Sequence, residues 1–313
     1  MTHRIGIAGV SGYGGGETLR IALAHPAYEV AVVYGEGSAG KSLSALFPQW
    51  DVPDLMVQPF VPEDVDVDLL FASLPTGASL EPLARVPAGV RIVDIGGDHR
   101  PPQYAGDDWV YGLPDAFPER SRGARRVANP GCFPAASLTA LLPITDQLTG
   151  TVVIDAKTGV SGAGRGGAQA GFGYAEINES LHAYRIGDHA HEPEIATALG
   201  AEVLFVPHLV PMTRGILATC YVTGVTAEQA RAAATALYAG SPFVRIVEQP
   251  PKTKWAAGSN RAFVSYHDTA THLVACCAID NLGKGAAGTA VQNANLMLGL
   301  EPDAGLQHAP LWP

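Results

Sequence analysis

Several things are scarce in this sequence. Of its 313 residues only four are cysteine (Cys132, Cys220, Cys276 and Cys277), and none forms a C-x-x-C pair. Neither a disulfide scaffold nor a cysteine zinc site is therefore supported. Charged residues make up 16% of the chain, below the roughly 25% of a typical soluble domain. Basic residues are outnumbered, 20 Lys and Arg against 30 Asp and Glu, for a net charge of −10. With no basic stripe to neutralise phosphates, the balance argues against a nucleic-acid partner. No apolar run reaches the roughly 18 residues of a membrane span, and glycines and Glu17 interrupt the apolar start RIGIAGV before it resembles a signal segment. The expected setting is the reducing cytoplasm, with a small molecule as partner.

Glycine, by contrast, is abundant. The 36 glycines are about 11.5% of the chain, against an average near 7%. They follow no G-x-y period, which excludes collagen, and they sit inside apolar runs, which excludes low-complexity disorder. A chain of this length divides into two domains or makes one large α/β domain.

The first half alternates short apolar runs with helical stretches. RIGIAG (4–9), EVAVVYG (29–35), DVDLLFAS (66–73), RIVDIGG (91–97) and RRVANPG (125–131) read as strands, and ETLRIALA as a helix stopped before Pro26. Near-continuous Val/Ile/Leu runs predict parallel strands covered on both faces, hence a Rossmann-like doubly wound sheet. After about residue 150 strands predominate: VVIDAKTGV, VLFVPHLVP, GILATCYVTG, FVRIVE, AFVSYH and HLVACCAID, with one clear helix at AEQARAAATALYAG. This predicts an α+β domain on a mainly antiparallel sheet. The expected division is 1–132 with 284–313 for nucleotide binding, and 133–283 for the second domain. The seven glycines from Gly159 to Gly173 mark the segment expected to move.

Gly9-x-x-Gly12-x-x-Gly15 follows the first strand and opens the first helix. Glycine lets backbone turn tightly and approach a pyrophosphate, while free helix amides face its charge. About 20 residues on, an acidic residue is expected to bind ribose. Glu36 is placed for that, favouring an unphosphorylated ribose, whereas Ser38 and Lys41 suit a 2′-phosphate. Cys132, in NPGCFPA, falls at a helix N-terminus, where the dipole favours the thiolate a nucleophile needs. His189 and His191, in GDHAHEPEI, are candidates for proton transfer, with Glu194 to orient an imidazole. The same H-x-H spacing fits two metal ligands on one strand, and no metal is assigned. His208 reads equally as a core histidine. Arg100, Asn129, Ser161, Arg165 and Arg214 are candidate donors to an anionic substrate.

Taken together, GVSGYGGGE, NPGCFPA, KTGVSGAGR, NESLHAYRIGDHAHEPEI, PHLVPMTRGIL and DNLGKGAAGTAVQNANLMLG resemble the N-acetyl-γ-glutamyl-phosphate reductases, relatives of aspartate-semialdehyde dehydrogenase, over nearly the whole chain. The resemblance implies a phosphorylating semialdehyde dehydrogenase of arginine biosynthesis whose second domain is catalytic and oligomerising, in a homodimer or homotetramer. It implies that Cys132 attacks an acyl phosphate, that His189, His191 and Glu194 form the acid–base region, and that Arg100 grips phosphate. It places the cofactor, NADP(H) with NAD(H) as an alternative, on Gly9, Ser11, Gly12, Tyr13, Gly14, Gly15, Ser73, Pro75 and Asn281, to which the residue pattern itself adds Ser38. Two segments depart from the family pattern. YGEGSAGKS carries Glu36 where a Ser/Arg-containing segment is usual, and GGDHR stands where serine and phenylalanine are commoner. An aminoadipyl-phosphate reductase, whose substrate is one methylene longer, and a nucleotide sensor without chemistry are the alternatives.

Overall fold

The computed structural model describes residues 2–104, 106, 108–165 and 173–312. The chain divides into two compact units: residues 1–100, 104–130 and 286–307, and residues 101–103, 131–285 and 308–313.

The first unit runs β1 (His3–Ala8), α1 (Tyr13–Leu23), β2 (Tyr28–Tyr34), α2 (Leu43–Leu46), β3 (Leu69–Ala72), α3 (Leu80–Arg85), β4 (Arg91–Asp94), β5 (Val110–Tyr111), α4 (Pro118–Ser121) and β6 (Arg126–Ala128). Its strands form one parallel sheet in the order β2-β1-β3-β4-β6-β5. Apolar runs put these strands where they are: the last four residues of β1 and all of β3 are buried. The doubly wound prediction therefore holds. The chain steps outward from β1 to β2 and then crosses to β3 on the other side of β1. The winding reverses between β1 and β3, so the loops after those two strands flank the crevice of the sheet.

The second unit comprises α5 (Cys132–Leu141), β7 (Thr149–Gly159), α6 (Tyr174–Ile177), β8 (His182–Ala183), α7 (His191–Leu199), β9 (Val203–Val210), β10 (Ile216–Thr223), α8 (Ala227–Leu237), β11 (Val244–Ile246), β12 (Ala262–Asp268) and β13 (Leu273–Ile279). The strands form a seven-stranded sheet in the order β11-β12-β13-β10-β7-β9-β8. It is mixed: four pairings are antiparallel, while β11–β12 and β7–β9 are parallel. Burial alternates along β7, β9 and β10, as expected of a sheet with one covered face. Helix α5 packs on β10 and β13 and is buried over eight of its ten residues. Its C-terminal carbonyls, which no helical amide reaches, accept the hydroxyls of Tyr238 at Thr139 and Tyr266 at Ala140.

After a π-turn at Gly283–Ala287, α9 (Gly288–Met297) belongs to the first unit and is buried along its whole length. Its polar residues are buried because they are paired. Asn293 donates to Gly112 O and Asn129 Oδ1 and accepts from Ser121, and Gln292 donates to Asp115. Among the described residues, no helix is long and apolar enough to cross a membrane.

Candidate active site

Two constellations carry the sequence-predicted residues, one in each unit. In the first unit, the turn after β1 and the turn after β3 flank a groove of about 500 Å³. Gly9, Ser11, Gly12, Ser73 and Pro75 line it, together with Gly35, Glu36, Phe60 and Arg85. Gly9 has φ +77°, and a Cβ there would run into the Ser73 carbonyl. Only glycine lets these two turns approach so closely. Helix α1 opens at Gly12 without a side-chain cap and without an acidic residue in its first turn. Its first amides are thereby left to an anion. The residues present fit a dinucleotide, since an uncapped helix N-terminus free of acidic side chains opens at Gly12, which lines the groove together with Gly9.

The remaining cofactor candidates lie elsewhere. Tyr13 begins α1 and is 42% exposed, and Gly14 and Gly15 complete the first turn behind the groove. Ser38 is buried in the short turn Glu36–Ser38, with its hydroxyl on the Gly35 carbonyl. Asn281 is in the second unit, where its Oδ1 accepts from Gly215 N–H and its Nδ2 donates to Ser161.

Arg100 and Asn129 also belong to the first unit. Arg100, 9% exposed, donates from Nε to Asn129 O at 2.8 Å and from Nη2 to Ile95 O at 2.7 Å. Two of its five donors thus tie together the loops that follow β4 and β6. The unusual residue beside it has a physical role. His99 stacks on Trp109 at 3.8 Å, as a phenylalanine would, and its Nδ1 lies 2.7 Å from the buried carboxylate of Asp94.

In the second unit, Cys132 is the first residue of α5, partly exposed and unbridged. The turn that presents it is fixed by Glu194: this carboxylate, 1% exposed, accepts the Gly131 amide at 2.9 Å. Beside that turn, Phe133 meets the rings of His189, His191 and Phe205 edge-on at 5.1–5.9 Å. The imidazoles of His189 and His191 are 4.7 Å apart, and the His191 amide donates to His189 Nδ1 at 3.1 Å. That bond leaves the ring proton of neutral His189 on Nε2. Burial, and then the Arg185 charge, lower the His189 pKa to about 4. The two histidines do not share a strand: His189 lies in a turn and His191 opens α7.

Sequence reasoning missed Tyr184. Its ring lies 5.7 Å from that of His189. Burial and the neighbouring Cys132 charge both push its phenol pKa upward, so it remains a hydroxyl. Nothing in its spacing from the H-x-H motif could have marked it. Gly285 completes the centre, since a Cβ there would come within 2.9 Å of Cys132 Cβ.

The other substrate candidates are distributed over the second unit. Ser161 sits in the turn Val160–Ala163 and accepts from Asn281. Arg165 is exposed within the glycine-rich stretch, whose residues 166–172 lie outside those described. Arg214 grips the fully buried carboxylate of Asp280 through Nε and Nη2, at 2.9–3.2 Å. Its charge is thereby matched within the fold. His208 is on β9, with Nδ1 3.0 Å from Asp155 Oδ1. Among the described residues, no group of three His, Cys, Asp or Glu is placed to hold a metal ion.

Residues 4–124 match the semialdehyde dehydrogenase NAD binding domain, and residues 132–281 the semialdehyde dehydrogenase dimerisation domain. Over the whole of both chains, the sequence is 56% identical to N-acetyl-gamma-glutamyl-phosphate reductase of Bradyrhizobium sp. (strain ORS 278) and 53% identical to that of Methylobacterium sp. (strain 4-46). The fold is similar to aspartate semialdehyde dehydrogenase II of Vibrio cholerae solved with ASA (TM-score 0.75, 19% identity, 96% of this chain and 99% of that one). It is similar as well to aspartate semialdehyde dehydrogenase of Candida albicans solved with NADP (TM-score 0.72, 16% identity, 95% and 99%).

Proposed function

The chain belongs to the N-acetyl-γ-glutamyl-phosphate reductase family, and from that premise we infer that it reduces N-acetyl-γ-glutamyl phosphate to the 5-semialdehyde through a thioester on Cys132. One observation carries the covalent route: Cys132 stands at the first position of α5, on a turn held by Glu194, near Tyr184 and next to Phe133, on which two imidazoles pack.

In this reading the Cys132 thiolate attacks the γ-acyl carbon, phosphate departs with the bonding pair, and a thioester remains. The α5 dipole stabilises the thiolate. The amides of its first turn face the oxygen on which charge develops. A nicotinamide dinucleotide, held by the Gly9–Gly12 turn and Ser73–Pro75, supplies hydride when bound. The chain's own task is then the proton. His189, kept neutral by burial and the Arg185 charge and held at Nδ1 by the His191 amide, acts as a positioning residue, and His191 gives the oxyanion its proton. Collapse of the resulting thiohemiacetal returns that proton to His191 and frees aldehyde and thiolate. The Tyr184 phenol, held un-ionised, is a further donor at the sulfur. Arg100 is assigned to the phosphate, with Asn129 holding it through its carbonyl. Ser161, Arg165 and Arg214 are assigned to the rest of the substrate, with Arg214 held in place by its ion pair to Asp280.

The test is steady-state turnover of Cys132→Ala with N-acetylglutamate semialdehyde, phosphate and oxidised nucleotide. Loss of turnover with nucleotide affinity intact is the expected result, and retained turnover removes the covalent route. Chain length is read in the same assay. A methylene is worth only about 1–3 kcal/mol, so equal activity with an aminoadipate semialdehyde would move the substrate assignment.

A further inference from the structure

We propose that the groove of the first unit takes NAD(H) in preference to NADP(H), with Glu36 as the specificity-determining residue. The proposal rests on the reading of the chain as a dinucleotide-dependent reductase, and it departs from the NADP(H) that the sequence resemblance implies. Three observations within the groove support it.

The first is position. Glu36 opens the turn that follows β2 and lines the same groove as Gly9 and Gly12. In a sheet of this winding, an acidic side chain there accepts hydrogen bonds from the ribose hydroxyls next to the adenine.

The second is how the carboxylate is held. Its Oε1 accepts the Phe60 amide at 3.3 Å, and it makes no other hydrogen bond or ion pair to the described residues. The side chain is anchored by one oxygen and keeps the other for a ligand donor. A ribose 2′-hydroxyl can donate to it. A 2′-phosphate, carrying about −1.5 to −2 charges at neutral pH, meets like charge instead.

The third is the surrounding charge. Arg85 also lines the groove, but its Nε lies 3.1 Å from Glu63 and its Nη1 3.1 Å from Glu81. This guanidinium is therefore shared between two carboxylates before any ligand arrives. Lys41 and Ser38, the residues suited to a 2′-phosphate, do not line the groove, and the Ser38 hydroxyl is turned to the Gly35 carbonyl. Asp64 and Asp66 extend the same sign of field to the end of β2. They add to burial in raising the pKa of Tyr34.

The test is equilibrium binding of NADH and NADPH to the purified full-length chain, without substrate, followed by nicotinamide fluorescence. NADH is expected to bind at least tenfold more tightly. Glu36→Gln, which keeps an oxygen for the Phe60 amide, should narrow that ratio several-fold, and Glu36→Arg should invert it. NADPH binding as tightly as NADH to the unaltered chain overturns the proposal whether or not either variant folds. A ratio unchanged in both variants overturns the role of Glu36. If neither nucleotide binds, the reading as a dinucleotide-dependent reductase falls and takes this proposal with it. Preference for NADPH leaves that reading intact and removes only the selectivity.

Discussion

In the first unit the groove forms where two turns meet, and three glycines, Gly9, Gly12 and Gly35, and the Ser73–Pro75 turn belong to its lining. The centre around Cys132 is built differently, from side chains drawn from separate stretches: His189, His191 and Phe205 round Phe133, Tyr184 against His189, and Glu194 on the Gly131 amide. A backbone site is damaged by adding atoms, because each Cβ takes up space the ligand or a neighbouring turn needs. A side-chain site is damaged by removing them, because a proton path or a buried acceptor goes with each group. The two should therefore fail independently and under opposite kinds of substitution.

The largest effect is expected at the nucleophile. Cys132→Ala should lower turnover by more than about a thousandfold, while nucleotide binding measured by fluorescence stays as it was. Loss of both together would break the proposed independence. At the other site, Gly9→Ala should abolish nucleotide binding. Its positive φ and the carbonyl of Ser73 in the way should cost about 1–3 kcal/mol of stability. Alkylation of Cys132 by iodoacetamide should proceed at an unchanged rate in that variant.

That contrast also explains what could be read in advance. The groove follows from a strand, a glycine spacing and a helix that are contiguous in the chain, so local pattern sufficed for Gly9 and Gly12. It did not suffice for the second cofactor turn, which needed the family resemblance to find Ser73 and Pro75. Cys132 was legible because a helix N-terminus is a local feature. Tyr184 was not, since its place beside His189 is set by the path of the chain between β7 and α7. Glu194 was expected to orient an imidazole; that it also accepts the amide of Gly131, 63 residues away, no local pattern could mark. Short elements escaped altogether: β5 and β8 have two residues each, too few to show a period. The parallel β7–β9 and β11–β12 pairings were also invisible, because strand order depends on crossovers rather than on burial alternation.

Smaller effects sharpen the side-chain half of the comparison. Glu194→Ala leaves the buried Gly131 amide without this acceptor and should cost about 1–3 kcal/mol in denaturant unfolding. Glu194→Gln keeps an oxygen at the same place and should recover most of that loss. If the two variants are equally destabilised, the carboxylate's charge matters more than its bond to the Cys132 turn.

A further effect is one of pH. The His189 pKa is about 4 in the folded chain, against 6.5 for an ordinary imidazole. Between those values the unfolded chain binds the extra proton, so His189 adds stability above pH 6.5 and loses that contribution as pH falls toward 4. In His189→Asn the decline across this window should be shallower, as read from urea midpoints. An identical decline would mean that the imidazole is not held neutral.

The thioester on Cys132 is tested most directly by withholding the nucleotide. Incubated with N-acetyl-γ-glutamyl phosphate alone, the chain should release phosphate in amounts matching the enzyme and gain one acyl group. Peptide mass spectrometry should place that group on Cys132. An unmodified Cys132 in a preparation that turns over once nucleotide is added would contradict the account.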